Sequence, residues 1–253
     1  MQTTPKTVAE LATTFPHSIP VLEKLGIDYC CKGQQTVEQA CSRRGVTPNE
    51  LLDLISSAPR PSTGDRTWNG ESMSEIITFI VSTHHHYTRE ALSILPALAT
   101  RVRQVHGANH EELRSIETLV YRLNDELIPH MLKEEQVLFP YINTVEEASA
   151  LGNEPPIPFF GTARNPIRMM MLEHEAAGAT LQEIRKLSLD FALPVEACAK
   201  YRTLFGQIEA LERDLHLHIH VENNILFPRA IEVEENTRKT PVSAVFDDNC
   251  CAR

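Results

Sequence analysis

The sequence predicts an all-α protein: an up-down four-helix bundle with a small helical domain at its N-terminus. Three observations carry this. Apolar residues recur with the period of an amphipathic helix over four long stretches, strand signals are nearly absent, and an eleven-residue motif appears twice, 88 residues apart. Residues 1–57 hold two or three short helical patterns separated by Pro16, Pro20, Gly26, Gly33 and Gly45, and form the small domain. Residues 58–70 are rich in Pro, Gly and polar side chains and read as a linker. The bundle follows at 71–231, with helices over about 71–105, 110–144, 164–189 and 197–231. Prolines and glycines between Leu151 and Gly161 separate its two halves. Residues 232–253, ending on Cys250, Cys251 and Arg253, lack an apolar period and read as a flexible tail.

Composition excludes several functions. With 24 basic against 34 acidic residues, the net charge is −10, which opposes sequence-independent nucleic-acid binding. Aromatic content of 6% gives no base-stacking platform. No apolar run is long enough to span a membrane, and the N-terminus has neither the basic nor the apolar region of a secretory signal. A cytoplasmic protein is expected, and its six cysteines are then read as reduced. There is no Cys-x-x-Cys, so neither a zinc ribbon nor a thioredoxin-like site is expected.

Each bundle helix turns polar in mid-stripe, on the face that should be buried. In the second helix, His130 and Glu134 continue the stripe of Ile116, Leu119, Leu123 and Leu127; in the fourth, His218 and Glu222 continue that of Leu204, Ile208, Leu211 and Leu215. His174 interrupts the third stripe between Met170 and Ala177, and the cluster His84-His85-His86 interrupts the first. A single histidine on such a face is ordinarily a hydrogen-bonded core residue. His-x-x-x-Glu is also weak by itself, because about one copy is expected by chance from 11 His in 253 residues. Three copies occur. The pair His86/Glu90 points to solvent, away from Ile77. The other two pairs each continue into Leu-Phe-Pro in the same register, at Pro140 and Pro228, and His85 precedes His130 by 45 residues much as His174 precedes His218 by 44. This is an internal duplication of a helix pair, and it builds a bundle with pseudo-two-fold symmetry.

Residues four apart on a helix share a face, so each His–Glu pair points into one core layer. Two buried glutamates without a counter-charge would be very costly, and metal cations remove that cost. Four imidazoles and two carboxylates suit two ions joined by bridging carboxylates, and such a donor set fits iron or manganese. Periodicity leaves both His84 and His85 tolerably inward and does not choose between them.

At this point the chain resembles the repair-of-iron-centres (RIC) family of hemerythrin-like di-iron proteins, over nearly everything from about Val8 to Ala230. The segment Leu25-Gly-Ile-Asp-Tyr-Cys-Cys-Lys-Gly33, with Gln35-Thr36 after it, is similar to that family's short N-terminal domain. The bundle motifs His130-Met131, Lys133-Glu134-Glu135, Glu173-His174 with Ala177-Gly178, and Glu222 to Ala230 match as well. The family has a histidine followed four residues later by Arg-Glu, so Arg89-Glu90 selects His85. The resemblance implies two non-haem, carboxylate-bridged iron ions held by His85, His130, Glu134, His174, His218 and Glu222. It suggests Glu126 and Glu173 as carboxylates near the site, and gives Cys30 and Cys31 a redox or iron-handling role. The loop at 151–163 is longer than the family's, and Cys250-Cys251 has no counterpart. His84, His86, His216 and His220 are read as surface residues.

The family implies a protein that helps restore iron–sulfur clusters damaged by nitrosative or oxidative stress, by donating iron or by binding or reducing nitric oxide. Its partners are then damaged iron–sulfur proteins and nitric oxide or dioxygen, with no nucleic acid and no membrane, in a monomer or homodimer. Oxygen-carrying hemerythrins use five histidines where four are assigned here, and fewer fixed ligands favour small-molecule binding and easier loss of metal. The alternative is an oxygen or nitric oxide binding or sensing protein without repair activity. A ferritin-like ferroxidase is disfavoured by the absence of paired Glu-x-x-His motifs.

Overall fold

The computed structural model describes residues 5–58, 68 and 70–239. Most of the expected linker, and the end of the expected tail with Cys250 and Cys251, lie outside these residues. Among the described residues there is no strand, only an isolated bridge between Thr7 and Thr36.

Four short helices open the chain: α1 (Val8–Thr14), α2 (Ile19–Lys24), α3 (Val37–Arg44) and α4 (Pro48–Ser57). Their N-termini are marked in the sequence. Thr7, Thr36 and Thr47 each accept from the backbone three residues on, and Glu10, Gln39 and Glu50 reach back to the capping residue. Between α2 and α3, Asp28 Oδ1 accepts the backbone N–H groups of Cys30 (3.1 Å), Cys31 (2.9 Å) and Lys32 (3.2 Å), folding the Cys-Cys segment into a tight turn. Gly33 closes this turn against α1. A Cβ there would stand 2.6 Å from the Tyr29 carbonyl oxygen and 2.8 Å from Ala9 Cβ, so no larger residue fits.

The bundle consists of α5 (Met73–Phe79) with α6 (His86–His106), α7 (Glu112–Lys133) with α8 (Phe139–Ala150), α9 (Arg164–Leu187), and α10 (Ala199–Val221) with α11 (Phe227–Lys239). The paired helices are continuous rods, each crossing a π-helical segment: Ile80–His85, Glu134–Leu138 and Glu222–Leu226. Such wide turns concentrate at functional sites. Pro140 and Pro228 lie two residues past the ends of the second and third segments, where they remove an i→i−4 donor, so the duplicated Leu-Phe-Pro marks both places where the α-helical ladder gives way. Helix α6 packs on α7 and α10, and α7 packs on α9.

Two apolar clusters fill the bundle on either side of the π segments. One holds Leu92, Leu123, Leu181 and Leu211; the other holds Ile76, Phe139, Ile167 and Phe227. A third cluster forms the core of the small domain and includes Ile219 from α10, so that domain docks directly on the bundle. Asn223 Nδ2 donates to the Cys30 carbonyl (3.3 Å) and Asn224 Nδ2 to that of Tyr29 (3.0 Å) across the same contact.

The last helix corrects the expectation of a flexible tail from 232 onward, since α11 continues to Lys239. Its inward positions keep the helical period, but one of them is a carboxylate: Phe227 and Ala230 are followed by buried Glu234. Glu234 accepts from the Tyr141 hydroxyl (2.6 Å) and from the Ala163 backbone N–H (2.9 Å), which ties α11 to α8 and to the start of α9. A stripe defined by apolar residues alone ends too early.

Truncation of a bundle-core side chain should be costly. Leu211→Ala, at a fully buried position, is expected to lose about 2–5 kcal/mol of unfolding free energy. Leu151→Ala, 74% exposed, should change it by less than about 0.5 kcal/mol. Denaturant titration of both variants checks the pair.

Candidate metal centre

The π segments and the middle of α9 bring six side chains to one level between the apolar clusters. His85 ends the first π segment, His130 and Glu134 span the α7 junction, His174 sits on α9, and His218 and Glu222 span the α10 junction. None is more than 2% exposed. Glu134 turns Oε2 to His85 Nε2 (3.3 Å) and Oε1 to His130 Nε2 (3.3 Å). Glu222 turns Oε1 to His218 Nε2 (3.1 Å) and Oε2 to His174 Nε2 (3.2 Å). Two donor groups result: His85, Glu134, His218 and Glu222, and His130, Glu134, His174 and Glu222, each with its atoms within 4.8 Å of one another. The two carboxylates belong to both.

Polar atoms in a dry core are normally paired, and these are not. His85 Nε2, His218 Nε2 and all four oxygens of Glu134 and Glu222 are buried without a hydrogen bond. His130 Nε2 and His174 Nε2 face each other at 3.0 Å. Their Nδ1 atoms are committed outward, His130 Nδ1 donating to Glu173 Oε2 (2.7 Å) and His174 Nδ1 to Asn223 Oδ1 (3.0 Å). The orientation of Asn223 follows from its own Nδ2, which donates to Cys30. Both Nε2 atoms therefore present lone pairs to one another, an arrangement that requires a proton or a cation between them. The donor set fits a pair of metal ions.

Electrostatics agree. Burial alone would lower the His130 pKa, but Glu134, Glu222 and the bond to Glu173 raise it to about 9. Burial likewise opposes ionisation of Glu222, yet His218 and His174 hold its carboxyl well below the usual range. The site concentrates negative charge and draws in positive charge, as protons or as metal.

Around this layer, Glu135 Oε1 accepts from His85 Nδ1 (2.6 Å) and from Arg89 (2.9 Å). Glu173 is bound by Lys133 as well as by His130. Glu126 makes no hydrogen bond or ion pair with any of the six; it pairs with Arg122 (2.8 Å) and lines a shallow surface concavity with Pro129, Lys133, Leu172, Glu173 and Ala176. Glu135 and Asn223 escaped the sequence reading, although a signal existed: each directly follows the glutamate of the duplicated motif, and the two lie 88 residues apart.

His86 is exposed beside Glu90, as expected, but two other histidines are not surface residues. His84 is buried, its Nδ1 3.0 Å from Asp214 and its ring stacked on that of His218 at 5.4 Å. The first π segment turns both His84 and His85 inward, so His84, which periodicity left tolerably inward, is not the surface residue expected. His220 is buried beneath the docked small domain, where it accepts from Asn224 Nδ2 (2.9 Å) and burial lowers its pKa to about 4. His216 is partly buried and edges Tyr29.

Cys30 and Cys31 lie at the docking contact. Their sulfurs are 3.8 Å apart, Cys31 Sγ is 3.7 Å from the His174 carbonyl oxygen, and both thiols are free. The neighbouring Cys31 thiol, together with burial, pushes the Cys30 thiol well above its usual range. With Asp28 they form a third group of donor atoms within 4.8 Å.

The hemerythrin HHE cation binding domain matches residues 76–230, and a domain of unknown function (DUF542) matches residues 4–58. The iron-sulfur cluster repair protein YtfE of Enterobacter sp. (strain 638) is 33% identical over 228 residues, 90% of this chain and 97% of that protein. Proteins of the same name from Escherichia coli O81 (strain ED1a) and Escherichia fergusonii are 34% and 33% identical over the same shares. The chain belongs to the repair-of-iron-centres family and is built on a hemerythrin HHE cation-binding domain.

Proposed function

We propose that this protein holds two non-haem iron ions and helps restore iron–sulfur clusters damaged by nitrosative or oxidative stress. One ion is assigned to His85 and His218, the other to His130 and His174, with Glu134 and Glu222 bridging both. The observation that carries this reading is the division of each buried carboxylate, one oxygen toward each histidine pair. The iron-sulfur cluster repair for which the YtfE relatives are named supports the repair role.

Iron bound there would supply Lewis acidity and one-electron chemistry toward nitric oxide or dioxygen. The chain's own part is preorganisation. Glu135, Glu173 and Asn223 hold the outer protons of His85, His130 and His174, so that each Nε2 faces inward as a lone pair. The two apolar clusters keep bulk water from the layer. Glu126 and Glu173, on the concavity beside His130, give cations an acidic approach from the surface. Cys30 and Cys31, against the backbone of His174, are assigned to iron handling. Among the described residues no helix is long and apolar enough to cross a membrane. The reduced cysteines accord with work in the cytoplasm on damaged iron–sulfur proteins.

Anaerobic loading with ferrous iron should raise the unfolding free energy by about 2.7 kcal/mol per site at a free concentration a hundredfold above the dissociation constant, and the melting midpoint with it. Glu222→Gln should lose most of this gain, as read by thermal melts with and without iron. Iron-loaded protein should also reactivate a dehydratase whose cluster has been damaged by nitric oxide. If no iron is transferred and no activity returns, the repair reading fails. The Cys30→Ser/Cys31→Ser double variant should keep its two irons yet reactivate the dehydratase more slowly; an unchanged rate removes the thiols from the function.

A further inference from the structure

The duplication sets, by register, which residue meets the outer nitrogen of each histidine. His85 and His174 are served by Glu135 and Asn223, the residues that follow the two bridging glutamates. His130 is served by Glu173, the residue preceding His174. The same register assigns His218 the residue preceding His85, and that residue is His84. Its Nδ1 is engaged by Asp214, and its ring lies parallel to His218, 4° from coplanar orientation, without bonding to it. His218 Nδ1 is left buried with no hydrogen-bond partner.

We infer that the two cation positions are unequal, and that the His85–His218 position binds more weakly and supplies the iron that leaves. This rests on the two-iron reading above. Each position has one histidine backed by a charged carboxylate: Glu135 behind His85, and Glu173 behind His130. The difference lies in the second histidine, which has an amide oxygen at His174 and nothing at His218. An acceptor on the outer N–H fixes the tautomer that exposes Nε2 and raises its basicity, and its loss typically costs 10–100-fold in metal affinity. His218 must place a proton on an unserved nitrogen whenever its Nε2 binds metal. The His130–His174 position is therefore the retained one. It keeps Glu134 and Glu222 partly neutralised while the exchangeable ion is absent.

Full-length protein loaded anaerobically with two ferrous ions, then titrated with a ferrous chelator, tests this through the iron retained at each chelator concentration. Two release steps separated by 10–100-fold are expected. Glu135→Gln should move only the earlier step and Glu173→Gln only the later, while His218→Ala should bind one ion that leaves at the later step; circular dichroism checks that each variant is folded. A single release step, or loss of the later step in His218→Ala, overturns the inference while leaving the two-iron reading intact. Saturation of the unaltered protein below two ions overturns both.

Discussion

Two glutamates, both fully enclosed, face one another in the centre of this bundle with no hydrogen bond to any of their four oxygens. Nothing else in the structure is as unfavourable in isolation, since an unpaired buried carboxylate ordinarily takes up a proton or forces its way to water. Here four imidazoles stand within 3.1–3.3 Å of their oxygens, and a proton or a cation on the facing nitrogens is what keeps both ionised. The rest of the fold maintains that arrangement: long helices that cannot bend away, apolar layers that exclude water, and outer partners that aim three of the four rings. An ion pair stripped of solvent is poor evidence of stability. A dry layer held ready for cations explains why the chain tolerates the cost.

The way the helices are broken is part of the same constraint. Residues four apart share a face, so an α-helix already aims His130 and Glu134, or His218 and Glu222, toward one layer. The π-helical segments begin at Glu134 and Glu222 themselves, widening the turn where the carboxylate must enter the core. The docked small domain closes the layer from another side. Asn223 shows the coupling most directly, because one amide holds the His174 proton with its oxygen and the Cys30 carbonyl with its nitrogen. Displacement of the Cys-Cys turn would therefore be felt at a proposed iron ligand through a single side chain.

Much of this was legible because duplication wrote it twice. Helical period and repetition placed His130, Glu134, His174, His218 and Glu222 on the inner faces, and the absence of period-two patterns gave the fold class. Period left His84 and His85 both facing inward without choosing between them, and the wider turn there, which rotates successive residues by less than an α-helix does, buries both, so reading His84 as a surface residue was wrong. Resemblance chose His85, and its Nε2 is the one facing Glu134. Burial of His220 was hidden for a different reason, since the surface covering it belongs to the small domain and no local pattern reports a contact between distant segments. The end of α11 was missed because its inward residue, Glu234, is a carboxylate satisfied by Tyr141 and by the Ala163 backbone. In each case the decisive partner lies far along the chain.

Duplication also explains how one centre can carry two tasks. Identical halves would give two equivalent cation positions, suited to binding a ligand symmetrically between them. Divergence at single register positions leaves the inner ligands untouched and changes only what stands behind them. Glu126 and Glu173, beside the His130–His174 position, correspond in register to Asp214 and His84 beside the His85–His218 position. The first pair borders an open concavity with Lys133, while the second closes on itself through the His84–Asp214 bond. The position with accessible acids has His130 backed by Glu173, and the position without them leaves His218 unsupported. On the two-iron reading proposed above, retention and release are separated by a few side chains that stand behind the six residues sharing the layer.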